Sequence, residues 1–120
     1  MILVDTSVWI DYLRRGNPVL AQLLSANEVL GHSWVIGELS LGGLSGRGEV
    51  LDLLAALPQA VVATESELIA AIDANELFGR GIGWVDAQLL VSARLTSGAK
   101  LWSRDRKLAA VAEALDVAHS

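Results

Sequence analysis

The sequence contains no cysteine, which excludes a disulfide framework and metal sites built from thiolates. A chain without cysteine fits a reducing compartment, so we expect a cytoplasmic protein. Its only two histidines, His32 and His119, are far apart in the sequence, which argues against a zinc site. Oxygen atoms are then the metal ligands that remain.

Positive charge is also scarce. Nine lysine and arginine residues stand against fourteen acidic ones, for a net charge of −5. This balance argues against a protein that coats nucleic acid, because non-specific phosphate binding depends on basic side chains. It remains compatible with a nuclease, since bound metal ions supply positive charge locally.

Two further features are missing. The apolar run at residues 2–4 ends at Asp5, so we expect neither a signal peptide nor a membrane span. The glycine-rich stretch 79–83 lacks the lysine of a Walker phosphate loop and follows a helical pattern rather than a strand. With 120 residues, 52% of them apolar, the chain is expected to fold as one globular domain spanning 1–120.

Short apolar runs alternate with seven helical patterns along the chain. The runs predict strands at residues 2–4, 28–30, 61–62 and 100–102, and a closing strand from about 117. Three helical patterns have clear limits. Ser33 is expected to cap a helix running to about Leu41, Thr64 and Glu67 form a capping box for a helix to about Phe78, and a helix spans about 84–96. Strands separated by helices predict an α/β fold, a three-layer α/β/α sandwich on a parallel sheet of about five strands.

Four acidic residues stand out in this arrangement. Asp5 and Asp105 each follow a predicted strand, and parallel strands place their carboxyl ends, where ligands gather, at the same edge. Glu38 is the only charge on an apolar helix, with no Lys or Arg within one turn, so we expect it to be buried. Asp86 shares a helical stripe with apolar residues and is expected to point inward.

This set of acids has two interpretations. Four carboxylates without clustered histidine suit a hard cation such as Mg²⁺ or Mn²⁺. Alternatively, Asp5 and Asp105 are only helix N-caps, and Asp86 only favours the helix dipole. Gly37, beside Glu38, is unfavourable in a helix and suggests that another group approaches there closely.

The acids lie in motifs that resemble the PIN-domain toxins of toxin–antitoxin pairs, the VapC type. The four matching stretches, in order, are residues 3–10 (LVDTSVWI), 35–39 (VIGEL), 83–87 (GWVDA) and 102–108 (WSRDRKL). The match covers nearly the whole chain. It departs at Ser103, where many members have threonine, but a hydroxyl is kept. The resemblance implies a PIN-like fold, a metal-dependent endoribonuclease, a homodimer, and inhibition by a small cognate antitoxin.

For hydrolysis of an RNA phosphodiester, we assign Asp5, Glu38 and Asp86 as ligands of one or two ions, directly or through water. Asp105 is a further ligand or an outer acid that orients water. The hydroxyls of Thr6, Ser7 and Ser103 are expected to hydrogen-bond these carboxylates. Arginines expected to meet RNA phosphates are Arg104, Arg106, Arg80 and Arg47.

The antitoxin is expected to insert a basic side chain among the acids and to pack against Trp9, Tyr12 and Trp84. Two other functions remain open. One is a receiver-like domain phosphorylated on Asp5, although Asp5 has no neighbouring acid. The other is a catalytically silent PIN-like module that only binds.

Overall fold

The computed structural model describes residues 1–119, which form a parallel sheet surrounded by helices. The three strands are β1 (Ile2–Val4), β2 (Val29–Leu30) and β3 (Lys100–Trp102). The seven helices of this part of the chain are α1 (Thr6–Arg15), α2 (Pro18–Ser25), α3 (Ser33–Ser40), α4 (Arg47–Ala56), α5 (Glu65–Ala74), α6 (Trp84–Leu95) and α7 (Arg106–Ala114). No helix within residues 1–119 is long and apolar enough to cross a membrane.

The sheet has the order β2-β1-β3, with both neighbours parallel to the central strand. Successive side chains of a strand point to opposite faces, and both Leu3 and Val4 of β1 are fully buried. Both faces of the sheet are therefore covered, as an apolar run without alternation predicts for a parallel strand. The α/β class is confirmed, with fewer strands than expected.

Beyond β2 and β3, single β-bridges take the place of the further strands that were expected. Gly31 pairs with Gln59 at one edge, and Leu101 pairs with Ala118 at the other. A Cβ atom at Gly31 would lie 2.9 Å from the carbonyl oxygen of Leu54, so this close pairing requires glycine. The expected closing strand near 117 is therefore one bridge.

The predicted strand at Val61–Val62 is wrong. Both side chains are exposed, and the Val61 N–H donates to the Thr96 hydroxyl rather than to a strand. Ala63 instead pairs with the side-chain amide of Gln88, which accepts from its N–H at 2.8 Å and donates to its carbonyl at 3.1 Å. A buried amide thus satisfies the backbone that a neighbouring strand would have satisfied.

Two helix limits also differ from expectation. The side chain of His32, not Ser33, caps α3 by accepting from the Trp34 N–H. Helix α5 ends at Ala74 rather than near Phe78, because Glu76 adopts a left-handed conformation with φ 50° and Leu77 turns back into the core.

Candidate active site

Asp5 lies at the carboxyl end of β1, and its side chain is 6% exposed. Its backbone begins α1, but its carboxylate makes no capping hydrogen bond. Instead Oδ2 accepts from the hydroxyls of Ser7 at 2.7 Å and Ser103 at 2.8 Å. The helix-cap interpretation therefore does not account for this carboxylate.

The segment after β3 lies against the start of α1. Ser103 donates to Asp5 and accepts from the Asp105 N–H at 3.0 Å, while the Arg104 N–H donates to the Ser7 hydroxyl at 3.0 Å. Asp105 is exposed, and its Oδ1 caps α7 by accepting from the N–H groups of Lys107 and Leu108. Asp105 is thus an N-cap that lies beside Asp5.

Asp86 is half-buried in the first turn of α6, where Oδ2 accepts from the Gly83 N–H at 2.9 Å. Burial raises the pKa of this carboxyl above its usual range, and the negative charges of Asp5 and Asp105 raise it further. The Gly83 hydrogen bond opposes this shift. The structure therefore brings Asp5 and Asp105 near enough to Asp86 for their charges to act on its carboxyl.

Glu38 is exposed, so the expectation that it is buried is wrong. Helix α3 has only two turns, and it turns Val35 and Leu39 inward while Glu38 remains at the surface. The carboxylate accepts from the Thr6 hydroxyl at 2.6 Å through Oε1, which connects it to the residue after Asp5. The close approach expected at Gly37 is also absent, since a Cβ atom there would meet no described atom within 4 Å.

The four carboxylates share one pattern of hydrogen bonding. One oxygen accepts a bond from a hydroxyl or a backbone N–H, and the other has no hydrogen-bond partner among residues 1–119. Nor does a basic side chain neutralise any of them, because the ion pairs of the described chain join only Asp11 to Arg15 and Arg104. Each acid is therefore held in place yet retains one free oxygen.

Uncompensated carboxylate oxygens are ligands of the kind that hard divalent cations prefer. No three acidic or histidine side chains of residues 1–119 are close enough to form a complete ligand set by themselves. The free oxygens of these acids are compatible with an ion of the Mg²⁺ type, which commonly keeps several waters and needs only one or two carboxylates as direct ligands.

The arginines expected to meet RNA take different places. Arg104 forms an ion pair with Asp11 beside the acids. Arg47 donates to the Ser40 carbonyl and Arg80 to the Glu76 carbonyl, whereas Arg106 is exposed at the start of α7. Of these four arginines, Arg104 alone is connected to the Asp5 network by a hydrogen bond within residues 1–119, through its backbone N–H.

A groove of about 430 Å³ lies beside the acids, and both Glu38 and Thr6 line it. Its apolar walls come from α1, α3 and the segment after α3, and the residues are Ile10, Leu13, Leu39 and Leu44. Sequence reasoning missed this groove, although Ile10 and Leu13 are spaced as neighbours on one helical face. Three other apolar residues were expected to anchor the antitoxin. The prediction for Trp9 is wrong, because Trp9 lies in the core and is only 1% exposed.

The other two anchors are more accessible. Tyr12 is half-buried and contacts Trp9 edge to face, while Trp84 is 47% exposed and lies against Trp34. Neither of them lines the groove beside Glu38.

Comparison with known proteins places this geometry in context. The sequence model of the PIN domain matches residues 2–114, which include all four acids. The chain is 50% identical over 110 residues to Ribonuclease VapC32 of Mycobacterium tuberculosis, both in strain CDC 1551 / Oshkosh and in strain ATCC 25618 / H37Rv. The aligned region is 92% of this chain and 89% of each relative. The chain has an α/β fold with acids at the carboxyl edge of its sheet, and both matches cover nearly its whole length. It therefore belongs to the PIN-domain family and within it to the VapC type.

Proposed function

We propose that this protein is a metal-dependent endoribonuclease that acts as the toxin of a toxin–antitoxin pair. The observation that carries the proposal is the convergence of Asp5, Asp86 and Asp105, none of them paired with a basic residue in the described chain. Family membership and the name of the relatives as ribonucleases support the same function. The receiver-like alternative is excluded, because the chain belongs to a different family.

In this proposal Asp5, Glu38 and Asp86 hold one or two Mg²⁺ or Mn²⁺ ions, partly through water, and Asp105 orients a water at the edge of the site. When bound, the ion supplies Lewis acidity toward water and toward the phosphate oxygens. The residues of the chain fix the acids in place before RNA arrives. Such preorganised charges need no rearrangement during the reaction.

The hydroxyls and backbone N–H groups have a defined role in this scheme. Ser7 and Ser103 hold Asp5 through Oδ2, Thr6 holds Glu38 through Oε1, and Gly83 holds Asp86 through Oδ2. Each bond fixes the orientation of a carboxylate and leaves its second oxygen available. Groups that support metal ligands in this way commonly change metal affinity by about 10- to 100-fold when removed.

The proposed partners are an RNA substrate, a cognate antitoxin and a second copy of the chain. The groove beside Glu38 suits an apolar segment of the antitoxin, with a basic side chain reaching the carboxylates. The homodimer is supported by family membership alone. Because its substrate is RNA, we propose the cytoplasm as the place of action.

Cleavage of RNA by the purified chain, with and without Mn²⁺, tests the proposal. We expect internal cleavage that requires the metal and is lost in Asp5→Asn, with Asp73→Asn on the exposed face of α5 as a matched control. Tight RNA binding without any cleavage would favour the silent binding module. Sequencing the RNA ends would identify the target and the position of the cut.

A further inference from the structure

A second pocket adjoins the groove along α1, and Ile10 and Arg14 line both. Its volume is about 320 Å³, and its lining residues are Ser7, Ile10, Asp11, Arg14, Arg15 and Arg104. Three of the nine basic residues of this acidic chain therefore meet in one place. We call it the arginine pocket.

The arginine pocket adjoins the acids through one residue. The Ser7 hydroxyl lines the pocket, donates to Asp5 Oδ2 and accepts from the Arg104 N–H. Arg14 lines both the arginine pocket and the groove that contains Glu38. A strand of nucleic acid that crosses the four acids would thus reach these guanidinium groups next.

The charges in the arginine pocket do not cancel. Asp11, whose side chain is 11% exposed, forms ion pairs with both Arg15 and Arg104. Arg14 has no hydrogen-bond or ion-pair partner within residues 1–119. Three guanidinium groups against one carboxylate leave excess positive charge.

The bonds of Asp11 also keep two of these arginines in place. The ion pair with Arg15 has the helical spacing of four residues, whereas the pair with Arg104 joins α1 to the segment before α7. The side chains of Arg104 and Arg15 remain 48% and 69% exposed, so solvent and ligands can reach them. A local helix pair alone would not explain why Arg104, from a distant segment, also pairs with Asp11.

We propose that the arginine pocket binds a phosphodiester group of the RNA strand next to the one that is cleaved, an inference that rests on the proposed ribonuclease function. Arg14 and Arg104 contact the phosphate, and Asp11 is a positioning residue for Arg104. The physical need is clear, because four carboxylates repel the RNA backbone and the protein has net negative charge. Contacts to a neighbouring phosphate set the register of the strand without reading its sequence.

The test measures binding of a fluorescein-labelled single-stranded RNA of twelve nucleotides by anisotropy in EDTA, where metal-dependent cleavage is stopped. Arg14→Gln and Arg104→Gln are compared with Arg94→Gln, which removes the same charge from α6, where Arg94 bonds to Asn75. We expect the first two to weaken binding at low salt. Each should also reduce the slope of log K against log salt by about 0.7, the value per phosphate contact of a single strand.

The variants should weaken binding of a second RNA of different sequence equally, because phosphates carry no sequence information. Equal weakening by all three variants would overturn the inference and assign the effect to net charge. If the wild type does not bind RNA in EDTA, the same comparison is made in Mg²⁺ with an RNA of phosphorothioate linkages, which keep their charge and resist cleavage. Equal binding there by the wild type, Arg14→Gln and Arg104→Gln would overturn the inference as well. Wild-type cleavage with Mn²⁺ is scored separately: if RNA is bound but not cleaved, the proposed function fails, while the three variants still decide the arginine pocket.

Discussion

Ser103 lies 98 positions from Asp5 in the chain, yet its hydroxyl donates a hydrogen bond of 2.8 Å to Asp5 Oδ2. The bond joins the carboxyl end of β3 to that of β1, two adjacent parallel strands. Ser103 also accepts from the Asp105 N–H, so one hydroxyl arranges two of the proposed site acids. We therefore expect the geometry of the proposed metal site to depend on this serine.

Ser103→Ala should reduce the free energy of unfolding by about 1 kcal/mol, the usual cost of one hydrogen bond. Metal affinity should fall about tenfold or more, because Asp5 keeps only its bond from Ser7. Calorimetric titration with Mn²⁺ measures the affinity. Ser103→Thr keeps the hydroxyl and is the matched control, and an affinity for Mn²⁺ that is unchanged in Ser103→Ala would show that Ser103 does not support the site.

Asp86→Asn should make the metal-free protein more stable at pH 7. The folded pKa of Asp86 is raised above 3.8, so its contribution to stability is present at low pH and is lost as the pH rises through the folded pKa. The neutral amide avoids this loss and still accepts from the Gly83 N–H. Melting in EDTA should show a gain at pH 7 that disappears near pH 4.

The same variant should lose stabilisation by the ion. Mg²⁺ or Mn²⁺ should raise the melting temperature of the wild type, since it binds only the folded state, and should raise that of Asp86→Asn or Asp5→Asn much less. An equal rise in all three proteins at one ion concentration would count strongly against a shared site.

Single changes of the acids should separate ligands from caps. Asp5→Ala, Glu38→Ala and Asp86→Ala should each abolish RNA cleavage without unfolding the domain. Asp105→Ala should keep partial activity and lose about 1 kcal/mol of stability, because its carboxylate caps α7.

Asp105→Ser restores a capping oxygen and should recover the stability but not the full activity. Cleavage rates and urea unfolding of the same preparations check this set. Cleavage at the wild-type rate by any of the three alanine variants would remove that residue from the proposed ligand set.

His32 should make the stability of the fold depend on pH. The ring is buried, accepts from the Trp34 N–H through Nδ1 and lies 2.8 Å from the Ser92 hydroxyl through Nε2, so it is neutral. Burial lowers its pKa below 6.5. The unfolded chain then binds a proton more readily, and stability is complete above about pH 6.5 and falls as the pH drops below it.

Urea unfolding at pH 7.5 and pH 5.5 measures this loss. His32→Asn, which keeps a capping acceptor but does not titrate, should show a smaller loss between the two pH values. If both proteins lose the same stability, His32 is not the source of the dependence.

Inhibitor binding should compete with metal binding. Suppose that a basic residue of the antitoxin pairs with Glu38 and Asp86. Excess Mg²⁺ should then lower the affinity for the inhibitor, and the inhibitor should lower the affinity for Mg²⁺ by the same factor. Calorimetry with the cognate antitoxin peptide at low and high Mg²⁺, at matched ionic strength, measures this. An affinity that does not respond to Mg²⁺ would place the inhibitor elsewhere.

The groove itself should supply apolar binding energy. Leu44→Ser should weaken binding of the antitoxin peptide, whereas Leu53→Ser, on the exposed face of α4, should not. Equal affinities of both variants and the wild type would argue against the groove as the binding surface.

Local sequence patterns predicted much of the fold correctly. The apolar run before Asp5 predicted the central strand, and the capping box at Thr64 and Glu67 correctly marked the start of α5. Pattern failed at Val61–Val62, where an apolar pair suggested a strand. The backbone there is satisfied by a hydroxyl and by the buried amide of Gln88, which no local window of sequence includes.

The sequence by itself determined the α/β class, the family, and the position of Asp5 and Asp105 at one edge, because these depend on periodicity and on the direction of parallel strands. Only the tertiary structure decided that Glu38 is exposed, that each acid keeps one oxygen without a partner among residues 1–119, and that arginines distant in sequence form a pocket beside them. Periodicity predicts which side of a helix is apolar. The packing of each helix against its neighbours decides where a side chain points and which groups from distant segments it meets.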